Sequence, residues 1–385
     1  MDNNIYDCLK NIIEKEKIDF KNINFELIKK NIETLKNIFI KLKNEYNILI
    51  NNKKKITYKK IFTLDKDYNQ IFKLIMSSIF SENKIIINEV KKLKYIGQLS
   101  YLNIDFYWIY TDNENELYKK ALKMFIISLC LNKFKYANDE IKRIIIWIPI
   151  NKKRDFFDNK INKETLFNSY KNFEAFTVSG VTWGSNPKYT IITRYEEVEK
   201  LLIHELIHNY NIDGSSYHRE FKIIINKYNN YKNNKNSKKS NYNYEYSIYE
   251  SYTELLSTYF YLLFANIELS NREIKDKLLG QIVIELIYSY NIIANLIKLN
   301  NYNNYDDFLK DKKFIGNICF YEYYYIKGIM YNNYLLKFGN NINEFKKIYL
   351  SIIKMIENNN TNDDLLMRNI YLNYIKLTNF RYQIN

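Results

Sequence analysis

The chain has 385 residues, enough for two or three domains, and its 8 glycines and 2 prolines favour a mostly helical protein. The 58 basic and 43 acidic residues leave a net charge of +15, which would suit an anionic partner. No basic motif of defined geometry accompanies this charge, so we do not expect nucleic acid as the main partner, although the basic surface would allow it. The three cysteines are odd in number and far apart, which argues against a disulfide framework.

The N-terminal region, residues 1–94, has the pattern of a helical region. Apolar residues recur there at helical spacing, as at Leu35, Ile38 and Leu42. No signal peptide is visible, because charged residues interrupt the first apolar positions. We therefore expect a soluble, intracellular protein.

A β-α-β arrangement is predicted next. Residues 95–110 are rich in β-branched and aromatic types, residues 116–132 predict a helix, and residues 144–150 predict a short central strand. Residues 176–183 and 188–193 flank a Gly-Ser-Asn-Pro turn, which is typical of a β-hairpin. This hairpin should end at the start of the next helix.

Residues 204–208 read His-Glu-Leu-Ile-His, an HExxH motif that uses two of the three histidines in the chain. On a helix, His204 and His208 lie one turn apart on the same face, so both imidazoles can bind one metal ion while Glu205 projects beside them. Residues 193–196 read as a capping box, so this helix should begin near residue 194. The motif predicts a zinc site with Glu205 as the catalytic residue; the alternative is a chance match with two buried core histidines.

A catalytic zinc usually takes three protein ligands, so a third ligand must lie elsewhere. One candidate is Glu250, with Glu254 as a hydrogen-bond acceptor behind a ligand histidine, because two carboxylates in an apolar helix need a cation. An exposed helix face carrying two acids is the alternative. The second candidate ligand is His218, which lies close after the motif. Asp213 is expected to hydrogen-bond near the site or to cap the following turn.

These residues resemble the HExxH zinc metallopeptidases, the zincins. The pair Glu250 and Glu254 resembles the gluzincin pattern, in which a glutamate from a later helix is the third zinc ligand. A closer similarity over residues 140–260 is to uncharacterised metallopeptidases of large DNA viruses. The matching segments are residues 176–182, residues 194–208, Asp213 and residues 250–254.

A second resemblance competes with the first. The segment His218-Arg-Glu-Phe221 is similar to the end of the SprT-like, DNA-associated proteases, which would make His218 the third ligand. The aromatic residue follows that histidine at three positions, where the family usually has four, and the cysteine pairs of the family's frequent zinc ribbon are missing. An inactive zincin that serves as a binding module is a further alternative.

The resemblance implies a fold and an activity. The fold would be α+β and mostly helical, with a zincin-like core in which a small mixed or antiparallel sheet packs on the HExxH helix. The activity would be hydrolysis of a protein or peptide substrate with one Zn²⁺ per chain, a zinc-activated water and Glu205 as general base. The substrate would pair with the edge of the predicted hairpin; an ordinary core hairpin is the alternative.

The predicted core spans residues 95–268, and within it residues 226–246 are so rich in Asn, Lys and Ser that we expect a mobile surface insertion. The last region, residues 269–385, is expected to be a helical subdomain. Its predicted helices are 271–299, 303–312, 316–338, 341–358 and 361–378. The most apolar long segment, residues 278–299, carries Gln281 and Glu285 among other polar residues, which favours a buried helix over a membrane span.

Overall fold

The structure is a computed structural model that describes thirteen parts of the chain. These are residues 23–62, 65–78, 84–92, 94–111, 114–135, 140–150, 180–193, 195, 197–217, 221, 247–299, 324 and 326–357. The predicted ligand His218, the predicted insertion at 226–246 and the predicted helices at 303–312 and 361–378 lie outside the described residues.

The chain forms two compact units. One comprises Met1–Ile40 and Asp213–Asn385, and the other comprises Lys41–Ile212. The helices are α1 (Phe25–Asn51), α2 (Lys66–Met76), α3 (Lys84–Lys92), α4 (Glu114–Leu131), α5 (Val198–Asn209), α6 (Ser247–Ala265), α7 (Glu273–Leu299), α8 (Lys327–Asn333) and α9 (Ile342–Glu357). The strands are β1 (Thr57–Phe62), β2 (Tyr95–Tyr101), β3 (Ile104–Tyr110), β4 (Arg143–Trp147), β5 (Gly180–Trp183) and β6 (Lys188–Ile192).

The unit Lys41–Ile212 is built on a six-stranded mixed sheet in the order β1-β2-β3-β4-β6-β5. Strands β3, β4 and β6 are parallel to one another, whereas β1 pairs antiparallel with β2, β2 with β3, and β5 with β6. The parallel pair β3 and β4 requires a crossover, which contains helix α4. The short β5 closes one end of the sheet among the described residues, next to β6.

One face of the sheet is covered by apolar side chains of helices α2 and α3. Because side chains alternate along a strand, every second residue of β3, β4 and β6 points to this face. Ile109, Ile146 and Ile191 meet there with Ile71 and Ile75 of α2 in one buried cluster. These side chains form the buried apolar layer on this face of the sheet.

The opposite face of the sheet packs against helices α4 and α5. Phe106 of β3 lies with its ring centroid 6.2 Å from that of Phe125 of α4, in an edge-on contact. Helix α5 contacts α4, β5 and β6. It is therefore enclosed on several sides, which is why its sequence is apolar almost all round.

The other unit is a group of helices around α6. Helix α6 contacts α8 and α9, and α7 contacts α8. Gly214 marks a close approach to α9, because a Cβ atom at this position would lie 2.6 Å from the Phe345 ring. Its φ of +79° is also a left-handed conformation that favours glycine.

The expected fold class is confirmed as a mostly helical α+β protein with a mixed sheet. Three details of the prediction are wrong. The N-terminal region is not helical throughout, since Thr57–Phe62 forms strand β1. The HExxH helix begins at Val198 and not near residue 194. The helix predicted over 316–338 ends at Asn333, after which the chain is extended.

No described helix is both long and apolar enough to cross a membrane. In helix α7 the polar residue Gln281 is buried, and its amide oxygen accepts a hydrogen bond from Asn266 at 2.7 Å. A hydrogen-bonded amide inside a helix contact is typical of a protein interior. This agrees with the buried helix that the sequence predicts at this position.

Candidate metal centre

Helix α5 presents the two histidines of the HExxH motif. The His204 and His208 ring centroids lie 5.0 Å apart, as expected for side chains one helical turn apart on the same face. Val198, Leu202 and Leu206 on the same helix are fully buried and anchor it in the core. The histidines therefore project from a rigid element, and His204 is itself buried.

The two histidines form a group with Glu250 of α6. Each of the three residues offers one possible ligand atom, and these atoms all lie within 4.8 Å of one another. Two imidazole nitrogens and one carboxylate oxygen make a donor set that suits a divalent transition metal, zinc above all. The residues thus fit a metal ion by both their chemistry and their closeness.

The Glu205 side chain points toward β5, the edge strand of the sheet among the described residues, and contacts it. The Thr182 hydroxyl donates a hydrogen bond to Glu205 Oε2 at 2.9 Å and also lies 3.1 Å from the Glu205 carbonyl oxygen. A Cβ atom added to Gly180 would lie 2.6 Å from Glu205 Oε1. The lack of a side chain at Gly180 therefore makes room for this carboxylate.

Behind this contact, buried polar side chains continue across the sheet. Thr182 and Thr190 join their hydroxyls at 3.0 Å, and Asn209 Nδ2 donates to the Thr190 hydroxyl at 3.0 Å. Arg143 Nε donates to Asn209 Oδ1 at 3.0 Å, and its guanidinium lies 4.8 Å from the Tyr210 ring centroid. Each buried polar group of this series has a hydrogen-bond partner, as burial requires.

Asp213 and Thr253 stabilise the region around Glu250. The buried Asp213 carboxylate accepts a hydrogen bond from the Thr253 hydroxyl of α6 at 2.8 Å. It also accepts one from the Ser215 backbone N–H at 2.9 Å, which caps the following turn, one of the two roles expected from the sequence. Burial and the nearby Asp213 carboxylate raise the pKa of Tyr249 well above its usual value, so this phenol stays protonated.

Glu254, one helical turn beyond Glu250, lies in a buried ion pair. Lys327 Nζ donates to Glu254 Oε1 at 3.2 Å, and the Ser257 hydroxyl donates to Oε2 at 3.2 Å. The Lys327 side chain is fully buried and the Glu254 side chain is 11% exposed. The role expected for Glu254, a hydrogen-bond acceptor behind a ligand histidine, stays a prediction; the cation beside its carboxylate is a lysine far along the chain.

The comparisons with known proteins agree with the viral part of the resemblance and with nothing finer. Over 278 residues the chain is 27% identical to an uncharacterised protein of Acanthamoeba polyphaga mimivirus. That match covers 68% of this chain and 66% of the viral protein, slightly less than two thirds of its length. No family model matches the chain, and no solved structure does. The comparisons therefore assign no activity.

Several residues of the site were not singled out from the sequence. Gly180 and Thr182 belong to a segment that carried the resemblance, but no role was assigned to them. Arg143 and Asn209 were overlooked, although a polar residue directly after the motif in an apolar helix was a usable signal. The partners of these residues come from elements that are distant in the sequence, which a single sequence does not bring together.

Proposed function

We propose that the protein is a zinc-dependent metallopeptidase in which His204, His208 and Glu250 hold the metal and Glu205 is the general base. The closeness of the three ligand atoms, within 4.8 Å of one another, carries the proposal. An HExxH motif with an acidic third ligand is the pattern of a catalytic rather than a structural zinc site. A structural zinc would not need a carboxylate held beside it.

The roles of the residues follow from their chemistry. Zn²⁺, when bound, lowers the pKa of a water ligand toward 7 and polarises a carbonyl oxygen. Glu205 takes the proton of the attacking water on its carboxylate and can pass it to the leaving amine. Thr182 and Gly180 support this role, since one donates to the carboxylate and the other leaves space for it.

The substrate is proposed to lie along β5. Among the described residues the sheet ends at this strand, and all four of its residues are half-buried. An extended peptide could add to this edge through backbone hydrogen bonds, which do not depend on its sequence. Because Gly180 and Thr182 contact Glu205 from the same strand, a peptide paired there would run past the general base.

Cleavage of peptides by the purified protein tests the proposal. A mixture of unstructured peptides would be incubated with wild type and with Glu205→Gln, and the products identified by mass spectrometry. Glu205→Gln keeps the size of the side chain but removes the base, so we expect cleavage by wild type and a loss of at least about 100-fold in the variant. Equal cleavage by wild type and Glu205→Gln would refute the proposal. Cleavage that a metal chelator does not abolish would refute it as well.

A further inference from the structure

A directed series of hydrogen bonds links a buried cation to the general base. It runs from the Arg143 guanidinium through Asn209, Thr190 and Thr182 to the Glu205 carboxylate, with each donor–acceptor distance between 2.9 and 3.0 Å. Its members come from β4, the end of α5, β6 and β5, so the sheet and helix α5 together form it.

The two ends of the series fix the direction of every hydrogen bond. A guanidinium only donates, so the Asn209 atom facing Arg143 is the amide oxygen, and the amide nitrogen must face Thr190. The Thr182 hydroxyl has one proton, and its two contacts on Glu205 are the carboxylate Oε2 at 2.9 Å and the backbone carbonyl oxygen at 3.1 Å. A carbonyl and an ionised carboxylate only accept, so in either case this proton points to Glu205. The proton of the Thr190 hydroxyl is then the one between the two threonines. All four bonds donate toward Glu205.

The aligned hydrogen bonds lie in the protein interior, where their electrostatic effect is strongest. Arg143, Asn209 and Thr190 are fully buried, and Glu205 is 7% exposed. Hydrogen bonds aligned head to tail polarise one another, and in a low-dielectric interior their effect on a charged end group is larger than in water. A carboxylate that accepts such a bond is held in one rotamer.

We propose that Thr182 is a positioning residue for Glu205, and that Thr190, Asn209 and Arg143 orient the Thr182 hydroxyl for this task. The proposal rests on the proposed function, because it assumes that Glu205 is the general base. Thr182 would not touch the substrate's reacting atoms; it would keep the Glu205 carboxylate beside them. Loss of its hydroxyl should therefore slow turnover more than it weakens substrate binding.

Three threonine variants test the proposal through kinetics. Thr182→Val removes the hydroxyl with little change in volume, and Thr182→Ser keeps it. Thr57→Val is the matched control, because Thr57 lies on the opposite edge strand and donates to the Ser100 carbonyl. We expect kcat to fall about 10- to 100-fold in Thr182→Val with KM within about 2-fold, while Thr182→Ser and the control stay within about 3-fold of wild type.

A thermal unfolding cycle tests the same contact without any activity. The melting temperatures of the full chain would be measured for wild type, Thr182→Val, Glu205→Ala and the double variant. We expect Thr182→Val to lower the melting temperature more in wild type than in the Glu205→Ala background, because only in wild type does it remove a hydrogen bond to a buried carboxylate. Equal decreases in both backgrounds would overturn the contact.

The two experiments separate the possible failures. If wild type cleaves no peptide, the proposed function fails, and the unfolding cycle still decides whether Thr182 holds Glu205. If wild type is active and Thr182→Val has an unchanged kcat, the positioning role is refuted. A similar loss of kcat in Thr182→Val and Thr182→Ser would also refute it, since serine keeps the hydroxyl.

Discussion

Gly180→Ala should displace Glu205, the proposed general base, while leaving the proposed metal ligands in place. The new Cβ would lie 2.6 Å from Glu205 Oε1, 2.7 Å from Cγ and 2.9 Å from the carboxyl carbon. Ordinary contact begins at 3.4 Å, so the carboxylate would have to retreat by about 0.8 Å. A displacement of about 1 Å costs roughly 100-fold in rate. The same movement would strain the hydrogen bond from Thr182 to the carboxylate, and such a bond to a charged group is worth about 1.5–3 kcal/mol.

The assay is peptide hydrolysis together with zinc content. We expect Gly180→Ala to bind as much zinc as wild type and to lose about 100-fold in kcat/KM. Gly280→Ala is the matched control, because Gly280 lies on helix α7 with no neighbouring atom within 4 Å of the added methyl group. It should keep full activity and gain about 0.5–1 kcal/mol of stability. Wild-type activity in Gly180→Ala would refute the reasoning.

Three further predictions concern groups that are not proposed to contact the metal or the substrate. Lys327→Met should destabilise the protein by about 3 kcal/mol in urea unfolding, because it removes one partner of the buried Lys327–Glu254 ion pair; adding Glu254→Gln should recover part of this loss. Burial raises the pKa of the Cys130 thiol, so in a variant whose other two cysteines are serine, a thiol reagent should react only after denaturation. Hydrogen bonds from Lys60 and Tyr58 lower the pKa of the Glu114 carboxyl below its unfolded value, so its contribution to stability is present at about pH 7 and is lost as the pH falls through the folded pKa. Glu114→Gln should therefore lower the melting temperature at about pH 7, and its difference from wild type should shrink steadily as the pH is lowered through the acidic range.

The sequence predicted the elements whose pattern is set by burial. Strands β2 and β3 lie within the segment rich in β-branched and aromatic residues, α4 matches the predicted helix closely, and β5 and β6 form the predicted hairpin. Helix α7 also runs over nearly the predicted range. These elements face the core on a regular period, so their apolar residues reveal them.

Strand β1 was missed because only Ile61 in it is buried. As the outer strand of the sheet it pairs through its backbone with β2, and its side chains carry no apolar alternation. Helix α5 begins later than predicted for a separate, local reason. Residues 193–196 have the composition of a capping box, but Thr193 is a buried residue that follows β6, and Glu197 adopts a left-handed conformation before the helix begins.

The residues of the candidate site also fall into those that the sequence indicated and those that it did not. His204, Glu205 and His208 are local on one helix, so their spacing alone indicates their joint role. Glu250 was inferred because a carboxylate in an apolar helix requires a cation. Thr182 and Arg143 contact partners on other elements, and hydroxyl or guanidinium groups in a sheet have no spacing rule that would reveal those contacts.

Zinc content measured by elemental analysis tests the central claim most directly. Wild type, Glu205→Gln, Glu250→Ala and His218→Ala would be purified under the same conditions and compared. We predict about one zinc per chain in wild type, in Glu205→Gln and in His218→Ala, and loss of zinc in Glu250→Ala. Wild type without zinc, or zinc that is kept in Glu250→Ala and lost in His218→Ala, would contradict the account.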